Sequence, residues 1–211
     1  MLSPLNLSRE KNLIAAGFKQ IAGIDEAGRG CWAGPVVAAC LNFDEKKALD
    51  DAEMNAAVAD SKLLSPLKRE KIFAWLIDKF DYGVGVVDNE FIDQYGIIKA
   101  TRLAMKLAVD KLAGQPDYLL IDAVDLKADI ALEQEAIIKG DRLVWSIAAA
   151  SIIAKVWRDQ IMVGYHREFS CYCFNQHKGY GTNLHRQMIA AHGICPIHRR
   201  SYQPIAELLT G

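Results

Sequence analysis

The stretch Ile21-Ala22-Gly23-Ile24-Asp25-Glu26-Ala27-Gly28-Arg29-Gly30, followed by Pro35-Val36-Val37-Ala38-Ala39-Cys40-Leu41-Asn42-Phe43, decides the fold. Residues 20–25 and 35–43 are short apolar runs of strand type, joined by a glycine-rich connection. Downstream, Ser65-Pro66 reads as a helix cap with proline at the first helical position, predicting a helix over 66–80. Residues 82–87 read as a strand that Gly83 and Gly85 weaken. A long helix is predicted over 90–113, with Ile98, Met105, Ala108 and Leu112 on one face and Gly114 as its stop. Tyr118-Leu119-Leu120-Ile121 has the character of a buried strand, and 129–138 supplies one more. Val144 to Phe169 is helical, and its Ala148-Ala149-Ala150 block suits close packing on a sheet. From about residue 170 a loop rich in aromatics and histidine leads to a helix near 183–192 and a short one after Pro204. Strands alternating with helices predict an α/β layer fold, with the helical tail against one edge.

The totals bound the rest. A chain of 211 residues, 51% hydrophobic and 24% charged, has the length for one sizeable core. No apolar run reaches the roughly 18–20 residues needed to span a bilayer. The opening MLSPLNLSREKN lacks the basic-then-apolar layout of a secretion signal, so no membrane association and a cytoplasmic home are expected. The cysteines (Cys31, Cys40, Cys171, Cys173, Cys195) are odd in number and sparse, which favours free thiols over a disulfide framework or a Cys171-x-Cys173 metal half-site. Net charge is −1, but it is unevenly spread. Residues 1–138 carry 16 Lys+Arg against 22 Asp+Glu; residues 139–211 carry 9 against 4 and hold all five histidines. A basic C-terminal third can face a polyanion, although ordinary charge segregation explains it equally well.

Three apolar segments run into an aspartate: Ile21 to Asp25, Leu119 to Asp122, and Ile137 to Asp141. In open α/β sheets, sites form where strands end, so residues far apart in sequence converge there. Glu26 adds a fourth carboxylate, and an all-oxygen cluster is what hard cations such as Mg²⁺ or Mn²⁺ require. Each aspartate taken singly is also explained as a turn or cap residue. Asp125 and Asp129 compete with Asp122 on spacing alone.

Gly28-Arg29-Gly30 frees the backbone to turn and to approach a small group such as a ribose 2′-hydroxyl, with Arg29 beside a phosphate. A plain turn fits it too. In His177-Lys178-Gly179-Tyr180-Gly181-Thr182, the tyrosine either stacks on a sugar or base, with Lys178 near a phosphate, or forms an aromatic lid on a small core. His198-Arg199-Arg200 offers cations for a nucleic-acid backbone or is a solvated charge run.

Taken in order, these segments resemble the ribonuclease HII family, the type 2 ribonucleases H. Asp25-Glu26-Ala27-Gly28-Arg29-Gly30 with Ala33-Gly34-Pro35-Val36-Val37-Ala38-Ala39 is similar to the family's opening signature. Asp60-Ser61-Lys62 with Leu64-Ser65 is similar to its next segment. Lys139-Gly140-Asp141, Ser146 to Val156 and Arg158-Asp159 match its central block. His177-Lys178-Gly179-Tyr180 and His198-Arg199-Arg200-Ser201 match its later motifs. The matches run from about residue 20 to 202. The chain departs from the family pattern at Cys31-Trp32, at Ala123 after Asp122, and at Gly181 after Tyr180.

The resemblance implies a ribonuclease H-like α/β fold with a mixed five-stranded sheet flanked by helices. Residues 1–169 would be the catalytic domain and 170–211 a helical C-terminal extension carrying the tyrosine, the two forming one structural unit. It implies two divalent cations, Mg²⁺ or Mn²⁺, held by Asp25, Glu26, Asp122 and Asp141, with Asp25 bridging. Gly28, Arg29 and Gly30 would contact the 2′-hydroxyl at an RNA–DNA junction, and Tyr180 would test the following deoxyribose. Lys62, Ser151, Lys155 and Lys178 are further candidates for holding substrate. The implied activity is endonucleolytic hydrolysis 5′ to a ribonucleotide in RNA–DNA hybrids or DNA duplexes with embedded ribonucleotides, leaving 3′-hydroxyl and 5′-phosphate ends. A monomer is expected. No glutamine-led, paired-aromatic clamp-binding box is seen near the C-terminus, so no clamp partner is carried over. The competing expectations are another nuclease with the same fold, such as a junction resolvase or exonuclease, and a catalytically silent hybrid-binding module.

Overall fold

The computed structural model describes residue 5 and residues 7–59 and 65–210. Lys62 and the rest of Asp60-Ser61-Lys62-Leu63-Leu64 lie outside the described residues. The elements run α1 (Ser8–Ala15), β1 (Ile21–Ala27), β2 (Val36–Asn42), α2 (Glu45–Leu49), α3 (Ala52–Ala59), α4 (Pro66–Lys79), β3 (Tyr82–Val87), α5 (Asn89–Tyr95), α6 (Ile97–Asp110), β4 (Tyr118–Asp122), β5 (Glu133–Ile137), α7 (Trp145–Glu168), α8 (Phe174–His177), α9 (Asn183–His192) and α10 (Gln203–Thr210). Among the described residues the strands form one five-stranded sheet in the order β3-β2-β1-β4-β5. β1, β2 and β3 pair antiparallel, whereas β1–β4 and β4–β5 are parallel, so the sheet is mixed as expected.

Strand alternation divides the core. On β2, Val37, Ala39 and Leu41 face α4 and α7 with Ile72, Leu76 and Trp145. Val36, Ala38 and Cys40 face the opposite side, toward Ala104, Met105 and Ala108 of α6. The glycines that weaken the strand reading are where helices touch the sheet most closely. A Cβ on Gly85 would stand 1.9 Å from Ala104 O, and one on Gly83 would stand 2.0 Å from Ala108 O. A Cβ on Gly23 would meet the Ser146 carbonyl carbon at 2.2 Å, so the start of α7 crosses directly over β1. Ala148, Ala149 and Ala150 are fully buried in that helix, as their small size predicts.

α7 has no side-chain cap of its own at Val144. Instead the fully buried Glu10 of α1 accepts a hydrogen bond from Ser146 N at 2.8 Å, placing a carboxylate at the positive end of the helix. α4 begins as the sequence predicts, with Pro66 in its first turn and the Ser65 hydroxyl accepting from Lys68 N.

The single helix expected over 90–113 is instead two. Gly96, at φ +85°, closes α5 and opens α6 in a new direction. That break turns Ile98 outward, 65% exposed, while Met105, Ala108 and Leu112 stay buried as expected. The helices α1, α2 and α3, five to eight residues long, are not among the elements the periodicity predicts. All five cysteines are free. Among the described residues no helix is long and apolar enough to cross a membrane.

The tail forms a small core of its own, in which Tyr172, Phe174, Ile189, Cys195, Ile197 and Ile205 close over Trp32, Ala33 and Met162. It thereby covers the connection between β1 and β2 rather than a bare sheet edge.

Substituting Gly85→Ala is expected to destabilise the protein by about 3 kcal/mol, because a backbone carbonyl and not a flexible side chain occupies the space. Gly30→Ala, with nothing within 4 Å of its added methyl, is expected to change stability by less than about 0.5 kcal/mol. Urea denaturation midpoints of the two variants check this contrast.

Candidate active site

Asp25 and Asp122 lie on neighbouring parallel strands, one residue beyond the paired Ile24 and Ile121. Asp25 shares its face with Gly23 and Ala27, and Asp122 with Leu120, so both project toward α7. Asp25 is only 5% exposed. Burial, then the charges of Glu26 and Asp122, push its carboxyl well above the usual carboxylate range. Hydrogen bonds from the Ser151 hydroxyl and from Glu26 N, at 2.7 Å, act in the opposite direction. Burial likewise raises Glu26, opposed by Arg29, whose Nη1 lies 3.1 Å from Glu26 Oε1.

Asp141 is also buried, but it stands beyond the end of β5, in a 3-10 turn over Gly140–Arg142. The turn is fixed to β4 because Gly140 N donates to Asp122 Oδ1 at 2.7 Å. Asp25, Glu26 and Asp122 are therefore within electrostatic range of one another, and Asp141 is held beside Asp122 through its neighbour Gly140. Among the described residues no three His, Cys, Asp or Glu side chains are arranged to hold a metal ion. Asp25 and Glu26 are consecutive on a strand and so project oppositely, and Arg29 holds Glu26. The donor set nonetheless suits a hard cation. It is all oxygen, it crowds like charges into a buried place, and Glu26 Oε2 is buried with no hydrogen-bond partner.

The competing acids are elsewhere. Asp125 is exposed and accepts from Lys127 N at 2.8 Å in a local turn, and Asp129 is paired with Arg102 at 2.6 Å. Ala123, directly after Asp122, holds φ +54°, the left-handed region that favours glycine. The turn is thus kept despite the departure from the family pattern.

A cleft of about 290 Å³ opens beside the acids, lined by Glu26, Ala27, Gly28, Arg69, Ser151, Ile152, Lys155 and Tyr180. Lys155 Nζ lies 5.3 Å from the Tyr180 ring centroid and bonds Asp159 Oδ1 at 2.6 Å. The Tyr180 hydroxyl pairs with the Cys31 thiol and is pushed up to about 12, chiefly by burial. Lys178 does not line this cleft; its Nζ donates to the Asn175 carbonyl and it borders the adjoining groove between α4 and α7. Arg69 is a cleft residue the sequence does not single out. Its position one turn into α4 is plain, but nothing local says that this helix end faces the acids.

Gly28 has φ +96°, and a Cβ there would fall 2.1 Å from Arg158 Nε. Arg158 is fully buried and donates to the carbonyls of Pro35, Lys178 and Ala33 at 2.9, 2.8 and 3.0 Å. Arg199, equally buried, donates to Gly34 O at 3.0 Å and Arg29 O at 2.9 Å. This corrects one expectation for His198-Arg199-Arg200. His198 and Arg199 have no exposed surface and build the turn, leaving only Arg200 outside. The backbone N–H groups of Arg200 and Ser201 are tied to Asp93, each at 2.9 Å.

The family model described as ribonuclease HII matches residues 22–205. The chain belongs to the ribonuclease HII family. A Dehalococcoides mccartyi protein named ribonuclease HII is 50% identical over 205 residues, covering 97% of this chain and 95% of that one. The ribonuclease H2 of Pyrococcus horikoshii OT3 superposes with a TM-score of 0.75 at 28% identity, over 90% of this chain and 97% of its own. A ribonuclease HII of Archaeoglobus fulgidus, solved in complex with PCNA, gives 0.75 at 27% identity, over 87% and 95%. This family member is accordingly an enzyme, a hydrolase of the ribonuclease H type with the ribonuclease H fold.

Ala123→Gly is expected to stabilise the protein by roughly 0.5–1 kcal/mol, since the left-handed strain exceeds the added freedom of the unfolded chain. A raised thermal midpoint checks it, and a lowered one would show that the Ala123 methyl makes a contact that matters more than its backbone strain.

Proposed function

We propose that this chain hydrolyses the phosphodiester 5′ to a ribonucleotide in RNA–DNA hybrids and in DNA duplexes with embedded ribonucleotides, leaving 3′-hydroxyl and 5′-phosphate ends. The observation that carries the proposal is one cleft lined by Glu26, the neighbour of the buried Asp25, by Gly28 of the turn and by Tyr180. A nuclease indifferent to the sugar has no use for the second and third of these beside the first.

Asp25, Glu26, Asp122 and Asp141 are assigned to hold two divalent cations, Mg²⁺ or Mn²⁺. Bound there, such ions would supply the activation of attacking water and the stabilisation of charge on the leaving 3′-oxygen. The protein's own contributions are more specific. Ser151, by donating to Asp25, orients that carboxylate from the α7 side. Arg29 neutralises Glu26 and stands beside the scissile phosphate. Gly28 to Gly30 offer peptide groups to the 2′-hydroxyl without Cβ interference. Tyr180 presents its ring to the sugar of the next nucleotide, while Lys155, Arg69 and, further out, Lys178 face the phosphates. Lys62 is assigned the same task by its place in the family pattern. Residues 1–169 then carry the acids and the glycine turn, 170–211 carry the tyrosine that tests the following sugar, and the task is removal of ribonucleotides from DNA.

The test is a DNA duplex with one ribonucleotide, incubated with Mg²⁺ or Mn²⁺. A single incision 5′ to the ribonucleotide is expected, abolished by a chelator and restored by adding back the ion. Asp122→Asn is expected to lose roughly 10³-fold in rate while still binding the duplex. No incision with either ion under conditions of demonstrated binding would overturn the proposal. Equal cutting of an all-DNA duplex would favour a sugar-blind nuclease of the same fold.

A further inference from the structure

The tail buries three imidazoles, His177, His185 and His198, that take no part in the chemistry above. Their hydrogen bonds fix where every proton sits. Cys195 N donates to His198 Nδ1 at 2.9 Å. A backbone N–H is always a donor, so Nδ1 is an acceptor there and carries no hydrogen. The 3.3 Å contact of the same atom with Cys195 O is the longer one, and the Cys195 thiol at 3.1 Å adds only a possible donor. The His198 proton is therefore on Nε2, which lies 3.1 Å from His185 Nε2. That nitrogen must accept, which places the His185 proton on Nδ1, 3.0 Å from Tyr180 O. The Tyr180 carbonyl also accepts from Thr182 N at 2.8 Å, which fills its two lone pairs. His177 stacks on His185 with centroids 4.3 Å apart, and is itself fixed by Gly179 N on Nδ1 and by donation from Nε2 to Tyr172 O.

The same residues close on the Gly28 turn. Ala33 and His198 form an isolated antiparallel bridge, Arg199 N donates to Trp32 O at 2.7 Å, and Trp32 N donates to Gly179 O at 2.8 Å. A Cβ on Gly181 would fall 2.3 Å from the Trp32 ring, so the indole occupies the place of a side chain there. His198 is thus bonded through its backbone to the segment that follows the glycine turn and through its side chain, by way of His185, to Tyr180.

We propose that His185 and His198 form a neutral two-imidazole relay that sets the position of Tyr180 relative to the Gly28–Gly30 turn, making them positioning residues for substrate selection. The consequence for selection rests on the proposed sugar-reading roles of that turn and of Tyr180. Neither imidazole can take a second proton without breaking a link, because each remaining ring nitrogen already accepts an N–H. Burial, the first cause in each case, agrees with this by holding His185 down to about 3 and His198 down to about 4.

Two measurements test the relay. In ¹⁵N-histidine NMR of the intact protein at neutral pH, His185 should be the Nδ1–H tautomer, the rarer form in water, and His198 the Nε2–H tautomer. A charged ring, or the opposite tautomer at either residue, overturns the assignment whether or not any variant folds. In parallel, kcat/KM is compared on a DNA duplex bearing one ribonucleotide and on a uniform RNA–DNA hybrid. His185→Ala should lower the preference for the single ribonucleotide about tenfold, the scale of one buried hydrogen bond. His185→Asn, whose amide can still donate toward the Tyr180 carbonyl, should restore most of it. Tyr180→Ala serves as the reference. If it lowers the preference and His185→Ala does not, the relay has no role in selection and the proposal fails. If Tyr180→Ala leaves the preference unchanged, the sugar-reading role itself is wrong, and the selective consequence of the relay falls with it.

Discussion

Two guanidinium groups without carboxylate partners among the described residues, Arg158 and Arg199, hold the working end of the molecule together. Each is fully buried, and a buried cation is costly unless its donors are met. Here most of them are met: for Arg158 by the main-chain oxygens of Ala33, Pro35 and Lys178, and for Arg199 by those of Arg29 and Gly34 and by the Tyr202 hydroxyl, although Arg199 Nη2 is left without a partner. The planar fork suits this role, since several donors fixed in one plane bind several carbonyls only when those carbonyls come from segments already in place. The β1–β2 connection, α7 and the tail are thereby made interdependent. An ammonium in either place would reach fewer of these oxygens and leave the turn underdetermined.

The sheet contributes the other half of the placement. Because Gly23 lets the α7 backbone lie directly on β1, the residues about one and a half and two and a half turns beyond Ser146 fall at fixed heights along the sheet. Ser151 meets the carboxylate, and Lys155 meets the Tyr180 ring one turn later. Glu10 keeps the start of α7 in register by capping Ser146 from a different helix. The crowding of Asp25, Glu26 and Asp122 is unfavourable in itself, and it is sustained because the strands that impose it are buried and paired on both sides.

Much of this was legible in the sequence, for identifiable reasons. Strand periods, the Ser65-Pro66 cap and the alanine block depend on local chemistry, so β1, β2, β4, α4 and α7 followed from it. The four acids were legible as a set only through the ordered family motifs. Spacing alone left Asp125 and Asp129 as rivals until the turn at Lys127 and the Arg102 pair accounted for them. Gly96 was not legible as a break, because an isolated glycine within an apolar period is compatible with a continuous helix until its φ is known. His198 and Arg199 were the hardest. A run of cations reads as surface unless the carbonyls that would satisfy it, more than 160 residues earlier for Arg199, can be placed beside it.

Arg29 links the tail to the acids through its backbone and its side chain. Its carbonyl accepts from Arg199 Nη1 and from the Tyr202 hydroxyl, so the backbone of the turn is anchored from the tail. Its side chain is 44% exposed and bound to Glu26 by a single ion pair. The Glu26 side chain is only 10% exposed, so withdrawing the guanidinium would leave a carboxylate that burial already penalises without its cation, and the pair is held more firmly than a surface one. The second oxygen of Glu26 is buried and has no hydrogen-bond partner. Under the proposed assignment, a cation bound there would add to the compensation that Arg29 already gives Glu26, and the backbone of the turn, anchored from the tail, would not have to move.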